Sequence, residues 1–288
     1  IVLEPPTLDD LRSDVRRVVD ALPVQVKLPL AMLQQMPTIL RKNEWQVRFI
    51  IHDDGQVVGV LPVSSQVYGL AVDIGTTSIA AYLIDLETGQ SVGKAGMMNP
   101  QIAYGEDVIS RIMKINDSSH NAVTLQQVLA DGINDLANNL CEQTGCDFSQ
   151  IVDVVVVGNT AIHHMFTRLP VHQLGEAPYI AATDEPVQFP SHEIGVKAAT
   201  NAQVYMPPNI ASYVGADHTA MILAAGLLDT DQTVLGIDIG TNTEITLAHQ
   251  KQLWTCSTAS GPAFEGAHIR NGMRAAPGAI ERVSFMHG

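Results

Sequence analysis

The stretch Tyr68-Gly69-Leu70-Ala71-Val72-Asp73-Ile74-Gly75-Thr76-Thr77 has a counterpart, Val234-Leu235-Gly236-Ile237-Asp238-Ile239-Gly240-Thr241-Asn242-Thr243, whose Asp-Ile-Gly-Thr lies 165 residues further on. In each copy an apolar run ends in Asp-Ile-Gly-Thr, and a second run of alternating residues follows the turn. Alternation on both sides of a tight glycine turn predicts a strand–turn–strand unit. The chain therefore uses one hairpin twice, and each copy carries an Asp and a Gly-Thr tip.

Each hairpin tip has the residue types that hold a phosphate chain. A glycine lets the backbone approach a phosphate closely, and threonine hydroxyls and backbone amides donate hydrogen bonds to it. Two facing tips of this kind suit a nucleotide site split between two lobes. The residues expected to bind the nucleotide at these tips are Gly75, Thr76, Thr77, Gly240, Thr241 and Asn242.

Asp73 and Asp238 precede the two glycines and would repel a bare phosphate. They are explained if they hold Mg²⁺, directly or through its waters, because Mg²⁺ keeps several waters and takes few carboxylates. One Asp in each lobe could place the metal on the β- and γ-phosphates. The alternative is a pair of ordinary β-hairpins with tight glycine turns. Two copies in matching contexts favour the phosphate interpretation.

Further blocks accompany the duplicated unit. They are Asn99-Pro100-Gln101, Tyr104-Gly105-Glu106-Asp107-Val108-Ile109-Ser110-Arg111, Val157-Gly158-Asn159-Thr160, Pro208-Asn209-Ile210-Ala211-Ser212-Tyr213-Val214-Gly215-Ala216-Asp217 and Ser260-Gly261-Pro262-Ala263-Phe264-Glu265-Gly266. Together with the hairpins they resemble the ASKHA superfamily of acetate and sugar kinases, Hsp70 and actin. The closer resemblance is to the reductive activators of corrinoid proteins, and it covers roughly residues 65–284.

This resemblance implies an α/β, ribonuclease-H-like fold in which two subdomains close over ATP and Mg²⁺. It also implies an ATPase that drives an electron from a [2Fe–2S] cluster to Co(II) in the corrinoid protein of a methyltransferase system. The catalytic residues would be Asp73, Asp238 and Asp217, with Asp73 and Asp238 at the metal. A separate electron donor would serve the cluster, and the protein would be cytoplasmic, with a homodimer possible.

The resemblance suggests three zones along the chain. Residues 1–64 would form a small α+β middle domain, residues 65–230 the first ASKHA subdomain with an insertion, and residues 231–288 the incomplete start of the second subdomain. Helical spacing of apolar residues predicts a helix from Leu8 to Leu22 capped by Thr7, and alternation predicts a strand at 24–28. Residues 170–205 are expected to be an irregular surface insertion, and a helix is expected from Asp217 to Leu228.

Several candidate residues have more than one interpretation. Asn159 could contact a phosphate, order the first Asp loop or cap the following helix. Asp217 could act as a general base or a ligand of metal-bound water, or simply favour the helix dipole. Glu244 is expected to be a surface strand residue, and contact with the metal shell is the alternative. Gly261 and Glu265 lie either near the nucleotide, as the resemblance favours, or in a tight strand-to-helix turn.

Composition narrows the classes of function. The net charge of −14 and the absence of a Lys/Arg cluster argue against binding to nucleic acid or anionic membranes. No apolar run approaches 18 residues, so no transmembrane helix is expected. The three cysteines cannot supply the four thiolates of a [2Fe–2S] cluster, so that domain is expected upstream of Ile1.

The sequence contains no Gly-Gly pair of the kind that forms the adenosine loop in ASKHA proteins. The second subdomain is therefore expected to be incomplete in this chain, with the adenosine pocket beyond Gly288. Two other functions remain open. One is a small-molecule kinase of the same superfamily, which needs a substrate pocket and an acid such as Asp217; the other is an interaction scaffold that does not use ATP.

Overall fold

The computed structural model describes residues 1–261 and, beyond them, residues 270, 272, 280 and 283. The first unit contains two helices and one hairpin. They are α1 (Asp14–Ala21), α2 (Leu30–Lys42), β1 (Val47–Ile51) and β2 (Val57–Pro62). The apolar faces of α1 and α2 pack with the hairpin into a separate core that includes Val18, Met32, Met36, Leu40 and Trp45. This unit thus combines helices and strands around its own core.

The expected helix from Leu8 to Leu22 is wrong in its first half. Its cap is Ser13 rather than Thr7, since the Ser13 side chain accepts a hydrogen bond from the amide of Arg16. Leu8 and Leu11 are 94% and 83% exposed, so the apolar spacing that included them does not reflect a buried face.

A buried arginine explains why the helix starts late. The Arg17 guanidinium donates to the backbone carbonyls of Glu4 and Asp10 at 3.1 and 2.5 Å, and to the Asp10 carboxylate at 2.7 Å. Residues 4–10 must curl over Arg17 to make these bonds, and they cannot continue α1 at the same time. The strand expected at 24–28 is likewise reduced to one bridge between Lys27 and Gln56.

The central unit is a six-stranded mixed sheet with the strand order β5-β4-β3-β6-β8-β7. Its strands are β3 (Tyr68–Ile74), β4 (Ser78–Asp85), β5 (Ser91–Met98), β6 (Ile151–Gly158), β7 (Val187–Pro190) and β8 (Gln203–Met206). Its helices are α3 (Val108–Asp117), α4 (Ser119–Thr144) and α5 (Thr160–Thr167). β3, β4 and β5 form an antiparallel meander, while β6 runs parallel to β3. The alternating apolar side chains of these strands and helices build the largest core of the molecule.

The interpretation of residues 170–205 as an irregular surface insertion is wrong. This segment supplies β7 and the first residues of β8, and β8 extends the sheet by pairing in parallel with β6. Both strands are only four residues long. Their stability comes from pairing at the open edge of β6 and from burial of Val204 and Met206, which a local pattern does not show.

The third unit consists of α6 (Ala216–Ala224) and a three-stranded antiparallel sheet of β9 (Val234–Ile239), β10 (Asn242–His249) and β11 (Gln252–Ala259). α6 ends at Ala224, four residues before the expected Leu228. One face of the sheet packs on the α6 region through Ile222, Leu227 and Ala248. The opposite face exposes the large apolar side chains Leu235, Ile237, Ile239, Leu247 and Trp254.

The expected α/β class is confirmed, and the observed sheet combines an antiparallel meander with a parallel pairing of β3 and β6. In the part of the chain that the structure describes, no helix has the length and apolar character needed to cross a bilayer.

Candidate functional site

The first tip of the split site closes the hairpin between β3 and β4. Asp73 lies one residue before the end of β3, and Gly75 to Thr77 form the turn. A Cβ at Gly75 would lie 2.9 Å from the carbonyl oxygen of Ser78, so a side chain there would force the turn open. β3 is held on both sides, by β4 and by β6, and this fixes where the tip projects.

The second tip closes the hairpin between β9 and β10. Asp238 is near the end of β9, and it pairs across the hairpin with Glu244 of β10. Cross-strand partners in a sheet place their side chains on the same face. The second hairpin therefore presents two carboxylates side by side, where the first presents only Asp73.

The fold brings the two tips together. The Thr77 and Thr241 hydroxyl oxygens lie 3.4 Å apart. Beside this contact is a cavity of about 290 Å³ between the two hairpins. It is lined by Asp73, Gly75, Thr76, Thr77, Ser78, Asn159, Asp217, Asp238, Ile239, Gly240, Thr241, Asn242 and Glu244. The structure thus collects in one cavity all the candidate residues of the two tips, together with Asn159 and Asp217.

The carboxylates of the cavity disfavour one another's charge. Burial, and then the charge of Asp238, raises the pKa of Asp73. Burial raises the pKa of Asp217 to about 7, and the carboxylates of Glu244, Asp73 and Asp238 add to the effect. Burial, together with the charge of Asp238, also raises the pKa of Glu244. A cation bound among these groups would relieve the repulsion.

The donor set fits Mg²⁺ held largely through water. Every charged side chain that lines the cavity in the described residues is a carboxylate, which is the hard oxygen donor that Mg²⁺ prefers. The described residues nevertheless contain no group of three His, Cys, Asp or Glu side chains close enough to form a complete metal site. Mg²⁺ commonly takes one or two carboxylates, with phosphates and waters completing its shell. The arrangement suits that mode of binding.

Asn159 serves two of the roles considered for it. Its Oδ1 accepts a hydrogen bond from the amide of Ile162, so it caps α5. Its Nδ2 donates to the Thr76 hydroxyl at 3.2 Å, so it also orders the first tip. The strand end of β6 and the helix start of α5 together hold the amide in this position.

Asp217 reaches the cavity because the start of α6 crosses directly over the end of β6. A Cβ at Gly215 would lie 2.3 Å from the Asn159 Cα and 2.5 Å from the Gly158 carbonyl oxygen. Only glycine permits this backbone contact. In the first turn of α6, the buried His218 ring places Nε2 2.6 Å from the Thr246 hydroxyl of β10, which ties the helix to the second hairpin.

Glu244 is the residue that sequence reasoning placed wrongly. The expectation of a surface strand position is contradicted, since Glu244 is 8% exposed and lines the cavity. Its Oε1 accepts a hydrogen bond from the Ser257 hydroxyl at 2.8 Å. The available signal was the alternation of β10, which puts Glu244 opposite Asp238, but alternation alone does not tell which face borders the cleft.

Gly261 borders the second tip without lining the cavity. Its amide donates to the Thr241 carbonyl at 2.9 Å, and its φ of +73° lies in the left-handed region. Its neighbour Ser260 donates a hydrogen bond to the Thr243 hydroxyl at 2.6 Å. Glu265 lies outside the described residues.

The chain matches sequence profiles of three consecutive regions of one family. Residues 1–66 match the RACo linker region, residues 68–230 the RACo middle region, and residues 232–288 the C-terminal domain of RACo, the ASKHA domain. The middle region alone accounts for more than half of the 288 residues.

Curated relatives and a solved structure are similar to the chain over most of its length. It is 32% identical over 242 residues to the corrinoid activation enzyme RamQ of Eubacterium limosum, covering 83% of this chain and 40% of the relative. It is 31% identical over 223 residues to the [Co(II) methylated amine-specific corrinoid protein] reductase of Methanosarcina barkeri, and the match covers 74% of this chain and 40% of that relative. The chain is 37% identical to the solved structure of a reductive activator for corrinoid, iron-sulfur protein and superimposes on it with a TM-score of 0.83. The match covers 99% of this chain and 47% of the chain in that structure. The chain thus spans less than half the length of each of these proteins.

Proposed function

The chain belongs to the RACo family of reductive activators of corrinoid proteins, and from this we propose that the whole protein uses ATP to drive reduction of the cobalt in a corrinoid protein. The names of the relatives support the corrinoid partner, since each names corrinoid activation or reduction. The contribution of residues 1–288 would be the nucleotide-phosphate site and the linker that precedes it.

The observation that carries the proposal is the meeting of the two Gly-Thr tips over one acidic cavity. The triphosphate would lie between the tips, against the backbone of Gly75 and Gly240 and the hydroxyls of Thr76, Thr77 and Thr241. Asp73 and Asp238 would hold Mg²⁺, chiefly through its waters. Bound there, the metal would neutralise the phosphate charge that these carboxylates otherwise repel.

Asp217 is suited to accept a proton during hydrolysis. Because burial raises its pKa to about 7, it can exchange a proton near neutral pH. We assign it the proton of the attacking water. The water oxygen forms a bond to the γ-phosphorus, the bond from that phosphorus to the bridging oxygen of ADP breaks, and phosphate leaves with ADP.

Hydrolysis would shift the two lobes between closed and open arrangements, as in other two-lobed ATPases. That shift would be coupled to transfer of one electron from a reduced [2Fe–2S] cluster to Co(II), which becomes Co(I). The cluster would lie in a domain upstream of residue 1, and a separate electron donor would reduce it again. The corrinoid partner would be a subunit of a methyltransferase system, in keeping with the methylated-amine relative.

Calorimetry with MgATP on the full-length gene product, its Asp73→Ala and Asp238→Ala variants and residues 1–288 tests this function. Binding by the full-length protein that both substitutions abolish is the expected result, and Co(II) corrinoid reduction would then be followed spectroscopically. Absence of MgATP binding by the full-length protein would exclude the ATPase and leave an interaction scaffold.

A small-molecule kinase is the second candidate, and one observation favours it. A further cavity of about 350 Å³ adjoins the two tips, with Thr76, Tyr213, Thr241 and Asn242 among its lining residues. A phosphate acceptor could sit there beside the two tips, while Asp217, the candidate base, lines the neighbouring cavity. Transfer of radiolabelled phosphate from ATP to an added metabolite, at a rate above hydrolysis, would decide for the kinase.

A further inference from the structure

One segment, residues 99–111, donates hydrogen bonds to the backbone carbonyls of three successive residues of the first tip. The Asn99 side-chain amide donates to the Gly75 carbonyl at 2.8 Å, and the Asn99 backbone amide donates to the Thr77 carbonyl at 2.9 Å. Between them, Nη2 of Arg111 donates to the Thr76 carbonyl at 2.6 Å. In a planar trans peptide the N–H points opposite to the C=O. The Thr76 amide shares a peptide plane with the Gly75 carbonyl, and the Thr77 amide shares one with the Thr76 carbonyl. Both amides therefore point away from this segment.

Arg111 is fully buried, which is unusual for a cation. Its other hydrogen bonds go to neutral oxygens, from Nε to the Gly105 carbonyl at 2.9 Å and from Nη1 to the Gln101 side chain at 3.3 Å. Within the described residues no carboxylate forms an ion pair with it. The nearby Asp107 carboxylate instead caps α3 by accepting from the Ser110 amide at 2.7 Å.

The placement of this arginine is built into the local backbone. A Cβ at Gly105 would lie 2.9 Å from the Arg111 backbone nitrogen and 3.1 Å from its Cγ. Any larger residue at position 105 would push the segment away from the start of α3. Burial lowers the Arg111 pKa to about 10, which still leaves the guanidinium charged at neutral pH.

The cavity between the tips is acidic, and Arg111 is a source of positive charge close to it. Four carboxylates line the cavity, and its described lining includes neither lysine nor arginine. A polyphosphate chain needs positive charge and backbone donors to bind there. Arg111 lies directly behind the first tip, where its charge reaches the cavity through the Thr76 peptide.

We propose that Arg111 is a positioning residue for the polyphosphate chain: it fixes the first tip so that the tip's amides face the phosphates, and it places a buried positive charge behind them. This inference rests on the proposed ATP-binding function. A purely structural arginine would stabilise the fold without distinguishing phosphates from the rest of the nucleotide.

The test compares MgATP, ADP and adenosine by calorimetry on the full-length protein and its Arg111→Met variant. We expect MgATP affinity to fall about 10- to 100-fold, as for loss of a charge-assisted hydrogen bond, while adenosine affinity changes less than about 2-fold. The dependence of MgATP affinity on salt should also weaken, since one positive charge is removed.

Arg17→Met is the matched control. Arg17 is also a buried arginine that binds backbone carbonyls, but it lies in the first unit and touches neither tip. It should lower the melting temperature and leave the ratio of ATP to adenosine affinities unchanged. Arg111→Lys keeps the charge without the guanidinium fork and should lose about 3- to 10-fold in MgATP affinity.

The outcomes separate the two proposals. If the wild type binds MgATP and Arg111→Met loses ATP and adenosine affinity equally, or loses neither, the positioning role is wrong and the proposed function stands. If the wild type does not bind MgATP, both fail. If Arg111→Met does not fold, Arg111→Lys decides, and a change of less than 2-fold in its MgATP affinity overturns the inference.

Discussion

The hydroxyl oxygens of Thr77 and Thr241 lie 3.4 Å apart although 164 residues separate them in the chain. Each hydroxyl belongs to the tip of its own hairpin, so the contact joins the two lobes at the point where phosphates are proposed to bind. A nucleotide that enters between the tips must replace this contact with its own hydrogen bonds. The acidic side chains beside it then determine which form of the nucleotide can bind.

Asp73 and Asp238 are the residues proposed to hold the metal, and neutralising either one should remove the dependence of ATP binding on Mg²⁺. Asp73→Asn or Asp238→Asn is expected to weaken MgATP binding about 10- to 100-fold, because an acceptor for the metal and its waters is lost. ATP without metal should bind equally well or better, since one repelling charge is gone. Calorimetry on the full-length protein with Mg²⁺ and with EDTA measures both. Asp153→Asn, at the far end of β6, is the control, and an equal loss there would contradict the metal assignment.

Asp217 should make the stability depend on pH. Its pKa in the folded state, about 7, is above the ordinary value of 3.8, so the folded state holds the proton more tightly. The contribution of Asp217 to stability is therefore fully present at low pH and is lost as the pH rises from about 4 to 7. Asp217→Asn cannot lose a proton and should be more stable than the wild type above pH 7, by on the order of 2–4 kcal/mol.

Denaturant titrations in EDTA from pH 4 to 8 would measure this difference. The advantage of Asp217→Asn should shrink towards zero near pH 4. The exposed Asp231→Asn is the control and should follow the wild type throughout. An advantage of Asp217→Asn that does not vary with pH would show that proton release from Asp217 is not its source.

Gly215→Ala tests the backbone contact that positions Asp217. The new Cβ would lie 2.3 Å from the Asn159 Cα, and neither backbone can yield cheaply. We expect a loss of about 3 kcal/mol or more, together with weaker MgATP binding as α6 shifts. Gly96→Ala is the matched control, because its Cβ would meet only the Ile79 carbonyl at 3.5 Å. Its cost should stay within about 1 kcal/mol, and an equal cost at both sites would contradict the crossing.

The late start of α1 can be tested with two substitutions that shorten side chains to alanine. Val18→Ala empties part of the first core and should cost about 2 kcal/mol. Leu11→Ala should change stability by less than about 0.5 kcal/mol, because that side chain is 83% exposed. Denaturation followed by tryptophan fluorescence, to which Trp45 in the same core contributes, reports on both. A cost at Leu11 similar to that at Val18 would favour a helix starting near residue 8.

The sequence predicts the parts of the fold that depend on neighbouring residues. The two hairpins follow from alternation and glycine turns, and the structure forms both of them and brings the residues of their tips to one cavity. β7 and β8 were missed because each is four residues long and depends on pairing with a distant edge. The Arg17 contacts that shorten α1 involve side-chain hydrogen bonds that no apolar spacing reports.

The sequence predicts which residues form the candidate site better than it predicts how positive and negative charges are arranged there. Asp73, Asp238 and Asp217 could be named from their positions after strands and at a helix start. Glu244 could not, because strand alternation does not show which face of β10 meets the first lobe. Arg111 stood in a family block without a role, since only the fold shows that its guanidinium reaches the Thr76 carbonyl.

The open apolar face of the β9–β10–β11 sheet has a practical consequence for handling residues 1–288. Leu235, Ile237, Ile239 and Trp254 are each at least half exposed on neighbouring strands, and water gains freedom when such surfaces meet. A preparation of this segment should therefore sediment faster as it is concentrated, and faster still in sulfate, which strengthens apolar contact. Titrations on it belong at low micromolar concentration, where heats of dilution do not mimic a ligand.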